Sequence, residues 1–306
     1  CPKPIGHDVW KYDDLKDHWD SIKLNSYQTV DGKEIPLSST GTKLVNIGKL
    51  TISDGVFTTE LVSDYAAKDD TTDVFVKSIQ EKNEALVNTV VARTSVDLTT
   101  KHSDGTRAIR NRETNLGDLC ADAYRAVSGA DIALVNGGGI RAAIAKGDVT
   151  KKDINTVLPF GNTLSIIKIT GAELLEVLEA STFCTPEAIG GFPQVSGIEF
   201  TLDTTKAYDQ GEEYPGTTYF APKTINRVTI STVGGKAFDP AATYTIATND
   251  FMASGGDTYY CFVNATANYD LGLPMDEVVM DYVNTVLGGT VTAEKYGEPA
   301  GRITIS

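Results

Sequence analysis

The feature that most limits the fold is the junction DIALVNGGGIRAAI, residues 131–144, where the apolar run Ile132–Val135 meets Asn136, Gly137, Gly138 and Gly139 and then Arg141. A run this short, bounded by turn residues, is a strand rather than a helix. Directly before it, NLGDLCADAYRAVSG spaces Leu116, Leu119, Cys120, Ala123 and Val127 along one helical face and stops at Gly129. A helix feeding a strand that ends in a glycine corner begins a mixed order of elements, and that order predicts an α/β mixed (α+β) fold from about Thr94 onward.

The remaining elements follow the same alternation. TLSIIKIT reads as a strand, and TGAELLEVLEAS as a helix whose Thr170 and Glu173 form a capping box. GIEFTLD, NRVTIS, TYTIAT and RITIS read as strands, and PMDEVVMDYVNTVLGG as a helix opened by Pro274 and closed by Gly288. Upstream, the first forty residues show no clear period. TKLVNIGKLTI and GVFTTELV then form a hairpin through SDG, and Asp73 to Val91 read as a linking helix. No repeat or low-complexity segment interrupts this order.

With 306 residues and 41% hydrophobic content, the chain can bury one sizeable core and a smaller second one. Its formal net charge is −14, which disfavours nucleic-acid polymers and anionic membranes as partners and leaves any anionic ligand to a local cationic patch. No apolar run reaches the length of a transmembrane helix, and the N-terminus lacks a basic stretch followed by an apolar one. Cys1, Cys120, Cys184 and Cys261 lie far apart, without the spacing of a zinc knuckle or a dense disulfide frame.

The cationic patch is present in RAIRNRETNLGD, which places Arg107, Arg110 and Arg112 just ahead of a helix. In an extended segment Arg110 and Arg112 would share a face, unless one of them pairs with a carboxylate such as Glu113. The amides of Gly137, Gly138 and Gly139 are expected to form an anion nest, with the Arg141 guanidinium completing it; the bland alternative is a tight turn with a surface arginine. VLPFGN and NDFMASGGDTYY each set a phenylalanine, Phe160 and Phe251, beside glycines. With Asp257 these residues offer stacking faces and a carboxylate for a base and a ribose, whereas either ring alone would be ordinary packing.

Taken in order, RNRETNLGDLCADAY, DIALVNGGGIRAAI, VLPFGNTL, TGAELLEVLE and NDFMASGGDTYY resemble the C-terminal domain of the 5′-nucleotidase family of ectonucleotidases and UDP-sugar hydrolases, over about residues 94–306. The resemblance implies that Arg110, Asn136 and Arg141 contact a substrate phosphate. It implies also that Phe160 and Phe251 sandwich the base, that Asp257 binds ribose hydroxyls, and that Asn162 and Gly197 lie beside the base. Residues 1–70 then resemble the last part of a metallophosphoesterase domain, and residues 71–93 an interdomain helix.

In that family the metallophosphoesterase domain carries two divalent metal ions and performs hydrolysis, so the expected partners are a small nucleotide or nucleoside and the missing remainder of that domain. The family's Asp-x-His and Gly-Asn-His elements are absent. His7, His18 and His102 are the three histidines, and Gly6-His7 lacks the apolar strand that should precede the family's late Gly-His element. The resemblance therefore implies a recognition part with no cofactor of its own, in a secreted, periplasmic or cell-surface protein. The rivals are a non-catalytic nucleotide-binding module and a surface interaction domain. No Gly-x-Ser-x-Gly elbow and no phosphate-binding loop ending in Gly-Lys-Ser/Thr occurs.

Overall fold

The computed structural model describes residues 25–30, 33–38, 47–54, 56–62 and 66–306. They fall into two compact units, one built from residues up to 81 and one from residues 82–306. The first contains two antiparallel hairpins, β1 (Asn25–Val30) with β2 (Lys33–Ser38) and β3 (Ile47–Ser53) with β4 (Val56–Val62). The second hairpin is the one read at SDG, with Ser53 opposite Val56 and Asp54 in the left-handed region at φ 50°. The first hairpin was not expected; only Asp31-Gly32 between its strands carries a hairpin signature, because the strands themselves do not alternate apolar with polar residues.

Helix α1 (Asp70–Val87) has no buried residue, and its first turns are tied by Asp73 to Lys68 and Lys77 at 3.0 and 2.8 Å. It stops four residues short of the expected Val91. The reason is tertiary: Val90 and Ala92 are paired with Thr150 and Val149, so the apolar residues that continue the helical period belong to a strand.

That strand, β5 (Val90–Thr94), opens a run of alternating elements: α2 (Asn115–Ser128), β6 (Ile132–Asn136), β7 (Gly147–Thr150), α3 (Lys151–Val157), β8 (Thr163–Thr170) and α4 (Gly171–Ser181). Six strands follow, β9 (Pro193–Ser196), β10 (Ile198–Leu202), β11 (Gln210–Glu213), β12 (Phe220–Pro222), β13 (Val228–Val233) and β14 (Lys236–Ala237). The chain closes through β15 (Thr243–Asn249), α5 (Asp250–Ala253), a 3-10 turn at Tyr260–Asn264, β16 (Ala267–Pro274), α6 (Met275–Thr285), β17 (Thr290–Val291), α7 (Ala293–Tyr296) and β18 (Ile303–Ile305). The fold is the mixed α/β arrangement expected.

Its centre is a five-stranded sheet in the order β16-β8-β15-β6-β9, in which only β15 and β6 run parallel. Every residue of β6 is buried, and alternate residues serve different cores because side chains on a strand point to opposite faces. Ala133 and Val135 pack with Leu116, Tyr124 and Val279 from α2 and α6. Ile132 and Leu134 pack on the other face with Leu174 and Leu178 of α4 and Phe200 of β10. A four-stranded sheet, β14-β13-β10-β18, backs the second core, and β17-β5-β7 borders the first.

Local signals set the helix ends. Thr114 caps α2 by accepting from the Gly117 amide at 3.1 Å, and Gly129 ends it at φ 69°. The expected box at α4 forms, with the Glu173 amide donating to Thr170 Oγ1 and the Thr170 amide to Glu173 Oε2. Pro274 opens α6, which ends at Thr285 rather than at Gly288. Beyond α4, the buried Arg227 donates to the carbonyls of Thr182, Phe183 and Thr185, each at 2.8 Å, while the buried Glu179 carboxylate accepts the amides of Arg227 and Val228.

A second buried carboxylate responds to pH. Asp118, in the first turn of α2, accepts from the Ala300 amide at 2.9 Å and lies 3.5 Å from Arg302 Nη1. Burial, followed by the charge of Glu113, pushes its carboxyl up to about 8, while Arg302 acts in the opposite direction. A folded-state value above the unfolded one means that the folded state binds this proton more tightly. Its stabilising effect is complete below about pH 4 and is lost as pH rises through about 8. Unfolding in urea at pH 5 and pH 8 should show the wild type losing about 3 to 4 kcal/mol more than Asp118→Asn over that interval. Equal losses would show that Asp118 does not hold the proton.

Candidate functional site

Most of the expected site residues converge on one cavity of about 390 Å³ in the unit of residues 82–306, lined by Arg110, Asn136, Gly138, Gly139, Phe160, Asn162, Gly190, Tyr219, Phe251 and Asp257; the expected Arg141, Gly137 and Gly197 are not part of its lining. Asn136 stands at the carboxyl end of β6, Phe251 on the short helix α5, and Phe160 and Asn162 on the loop between α3 and β8. Crevices of this kind form where strands of a mixed sheet end and their loops diverge.

Arg110 lines the cavity, and the charges of Arg107 and Arg141 act in the same field. Arg107 Nη2 donates to the Ile140 carbonyl at 2.9 Å, and Arg141 Nη1 to the Gly138 carbonyl at 3.2 Å. The Nε atoms of both Arg107 and Arg110 are buried without a hydrogen-bond partner. Burial pulls both guanidiniums below their ordinary value. For Arg110 the charge of Arg141 adds to this and Asp257 opposes it; for Arg107 the added charges are Arg110 and Arg141. Desolvated like charges held together raise the energy of the empty site, and an anion placed between them lowers it.

The glycine corner does its work differently from the nest expected at Gly137–Gly139. Their amides are already engaged: Gly137 donates to the Phe192 carbonyl, Gly138 to Gly190 and Gly139 to Asn136, at 2.7–2.8 Å. None of the three has a positive φ. Their smallness matters instead, because a side chain on Gly137 would meet the Ile109 carbonyl, and one on Gly138 would lie 2.9 Å from the Gly190 carbonyl. The corner thus lets the Arg110 loop and the Gly190 turn approach the strand end. The cation on this site is supplied by side chains.

The Arg110 loop is not extended. The amides of Asn111 and Arg112 both return to the Ala108 carbonyl at 2.9 Å, which leaves Arg112 exposed and outside the cavity. Glu113 takes no arginine of that loop; it accepts the backbone amides of Arg302 and Ile303. The loop is clamped by the buried Gln194, whose Nε2 donates to the carbonyls of Ile109 and Arg112 and whose Oε1 accepts from the Thr114 amide at 3.0 Å. Gln194 and Tyr219 escaped the sequence reading, since both reach this region through tertiary packing.

Phe160 and Phe251, which line the same cavity, are 61% and 46% exposed, so their faces are open to stacking on a flat ligand. Arg141 lies over Phe160, 5.7 Å from the ring centroid. A side chain on Gly256 would strike the Phe251 ring at 2.5 Å, so glycine is needed for the ring to lie where it does. Asn162 donates to Asp250 at 2.6 Å, fixing the Phe160 loop to α5.

Asp257 sits at φ 52°, a conformation an aspartate adopts at a cost in energy. It is held by Asn136, whose Nδ2 donates to Asp257 Oδ2 at 2.8 Å. Asn136 Oδ1 accepts in turn from Asn249 Nδ2 at 3.0 Å, and Asn249 caps α5 by accepting from the Met252 amide. Gly197 does not line the cavity; it turns between β9 and β10 at φ 76°, against the Asp131 carbonyl and the Arg125 side chain.

His102 faces Asn111 at 3.3 Å, and His7 and His18 lie outside the described residues. Among the described residues no group of three or more His, Cys, Asp or Glu side chains is placed to hold a metal ion, and no helix is long and apolar enough to cross a membrane. Cys120, Cys184 and Cys261 are free thiols.

The cavity thus brings together an arginine, two exposed rings and a positioned carboxylate, and comparison with known proteins gives the class of the domain. The chain belongs to the 5′-nucleotidase family, the model of whose C-terminal domain matches residues 90–264. A model of a protein of unknown function matches residues 1–55. The trifunctional nucleotide phosphoesterase protein YfkN of Bacillus subtilis is 37% identical over 63% of this chain and 13% of its own. Protein UshA of Escherichia coli is 29% identical over 77% of this chain and 38% of its own. A 5′-nucleotidase precursor from Thermus thermophilus, 29% identical, superposes with a TM-score of 0.63 over 92% of this chain and 54% of that one. A putative 5′-nucleotidase from Staphylococcus aureus, at 18% identity and a TM-score of 0.65, shares the fold. The chain spans between 13% and 38% of the length of these two curated relatives.

Proposed function

We propose that this chain is the nucleotide-recognition part of a 5′-nucleotidase-type phosphohydrolase acting outside the cytoplasm. In this reading residues 1–70 are the end of a metallophosphoesterase domain, residues 71–93 link, and residues 94–306 recognise the substrate. Two divalent metal ions, held by the rest of that first domain, would supply the hydrolytic chemistry. The observation that carries the reading is the pair of desolvated arginines, Arg107 and Arg110, each with an unpartnered buried Nε, in the charge field of Arg141, with Arg110 lining one cavity together with exposed Phe160 and Phe251.

Each residue has a task within this reading. Arg110 and Arg141 bind and orient the phosphate, and Arg107 reinforces their field. Phe160 and Phe251 stack the base, a contact worth about 1 to 3 kcal/mol in single-strand binders. Asn162 steadies the Phe160 loop, Asn136 orients Asp257, and Asp257 accepts from ribose hydroxyls.

Calorimetric titration with AMP and with adenosine, in the presence of a chelator, tests the reading. Binding of AMP should exceed that of adenosine, and Arg141→Ala should weaken AMP about tenfold or more while changing adenosine by less than about twofold. Absence of heat with both ligands from a folded sample would refute autonomous nucleotide recognition.

A further inference from the structure

Tyr219 enters the cavity from the turn of the β11–β12 hairpin, a segment that none of the sequence motifs covers. The hairpin is firmly placed. Tyr214 donates its hydroxyl to Glu176 of α4 at 2.6 Å and stacks on Tyr260 with ring centroids 4.9 Å apart, and Tyr208 donates to the Phe220 carbonyl at 2.6 Å. The backbone of Tyr219 is fixed on both sides, its amide donating to Thr217 Oγ1 and its carbonyl accepting from the Tyr214 amide. Two of the three tyrosines around this hairpin thus rest their hydroxyls on protein acceptors. The hydroxyl of the third, Tyr219, has no hydrogen-bond partner among the described residues.

Asp257 lines the same cavity. Burial raises the Tyr219 phenol above its ordinary value, and the charge of Asp257 adds to that, which places the two groups in one field and keeps the phenol protonated. Asp257 has one oxygen, Oδ2, taken by Asn136. The wall therefore presents a carboxylate oxygen that only accepts beside a phenol that donates or accepts. A pair of adjacent hydroxyls matches it, one donating to the carboxylate and one bonding the phenol. A phosphate does not, since the carboxylate repels it toward the arginines.

Resting on the nucleotide-recognition reading, in which Asp257 accepts from one ribose hydroxyl, we propose that Tyr219 bonds the other hydroxyl of the diol. Tyr219 is then the residue that makes the site prefer ribonucleotides to a deoxyribonucleotide. It acts on specificity, through a hydrogen bond that a deoxy analogue lacks.

The test is calorimetric affinity for AMP, 2′-deoxyAMP and 3′-deoxyAMP in the wild type and in Tyr219→Phe. Wild type should favour AMP over both analogues, by about fivefold or more for each lost hydrogen bond. Tyr219→Phe should bring the preference over one analogue to within about twofold and leave the preference over the other intact. Weakening of all three ligands by the same factor would overturn the proposal in favour of a packing role, as would two unchanged preferences. If AMP does not bind the wild type at all, the nucleotide reading falls and this inference with it. Binding of AMP without any preference over either analogue overturns this inference alone.

Discussion

Replacing Arg227 by alanine should lower the unfolding free energy by about 3 to 5 kcal/mol, the range found when one partner of a buried charged network is removed. The loss has two parts. The carbonyls of Thr182, Phe183 and Thr185 would each lose a 2.8 Å charged hydrogen bond beyond the end of α4. Glu179, fully buried, would also lose the nearby positive charge that acts on the same field, keeping only the backbone amides of residues 227 and 228. Urea unfolding at neutral pH would measure it, and Arg227→Lys should recover a minor share, since an ammonium cannot span all three carbonyls. A loss below about 1 kcal/mol would mean that water takes over the network.

The second large effect concerns binding, and its sign is opposite for stability. Arg110→Ala should weaken AMP by about 30- to 100-fold, corresponding to about 2 to 3 kcal/mol for a charged hydrogen-bonding group. Its melting temperature should hold or rise, because the side chain is desolvated, repelled by Arg141 and without a partner for Nε. Calorimetry and thermal melting on the same samples separate the two. A drop in both would identify Arg110 as a structural residue.

What could be read from the sequence was largely what neighbouring residues decide. The box at Thr170 and Glu173, the end of α2 at Gly129 and the burial of Ile132–Val135 depend on residues within a turn or two of one another. The set of Arg110, Asn136, Phe160, Asn162, Phe251 and Asp257 was assembled through ordered motifs spread over 150 residues of the chain, and these side chains do line one cavity. Where contacts across the fold decide, the reading failed. Val90 and Val91 continue a helical pattern but pair as a strand; the glycine amides spend themselves on Phe192, Gly190 and Asn136; Gly197 serves a turn. Gln194 and Tyr219 gave no signal, for a buried glutamine and a loop tyrosine look ordinary until their neighbours are known.

The Asn249–Asn136–Asp257 relay has a further consequence. One end of it caps the helix bearing Phe251, its middle stands at the strand end beside the glycine corner, and its far end is the cavity carboxylate. The backbone of the helix that carries Phe251 and the cavity carboxylate are therefore tied into one hydrogen-bonded chain. The conformational entropy of these tied groups is surrendered during folding, so a ligand that used them would keep more of its contact energy as affinity. Amide protection at Met252 and the order of the Asp257 turn should rise and fall together, so that the start of this helix and the carboxylate behave as one mechanical part.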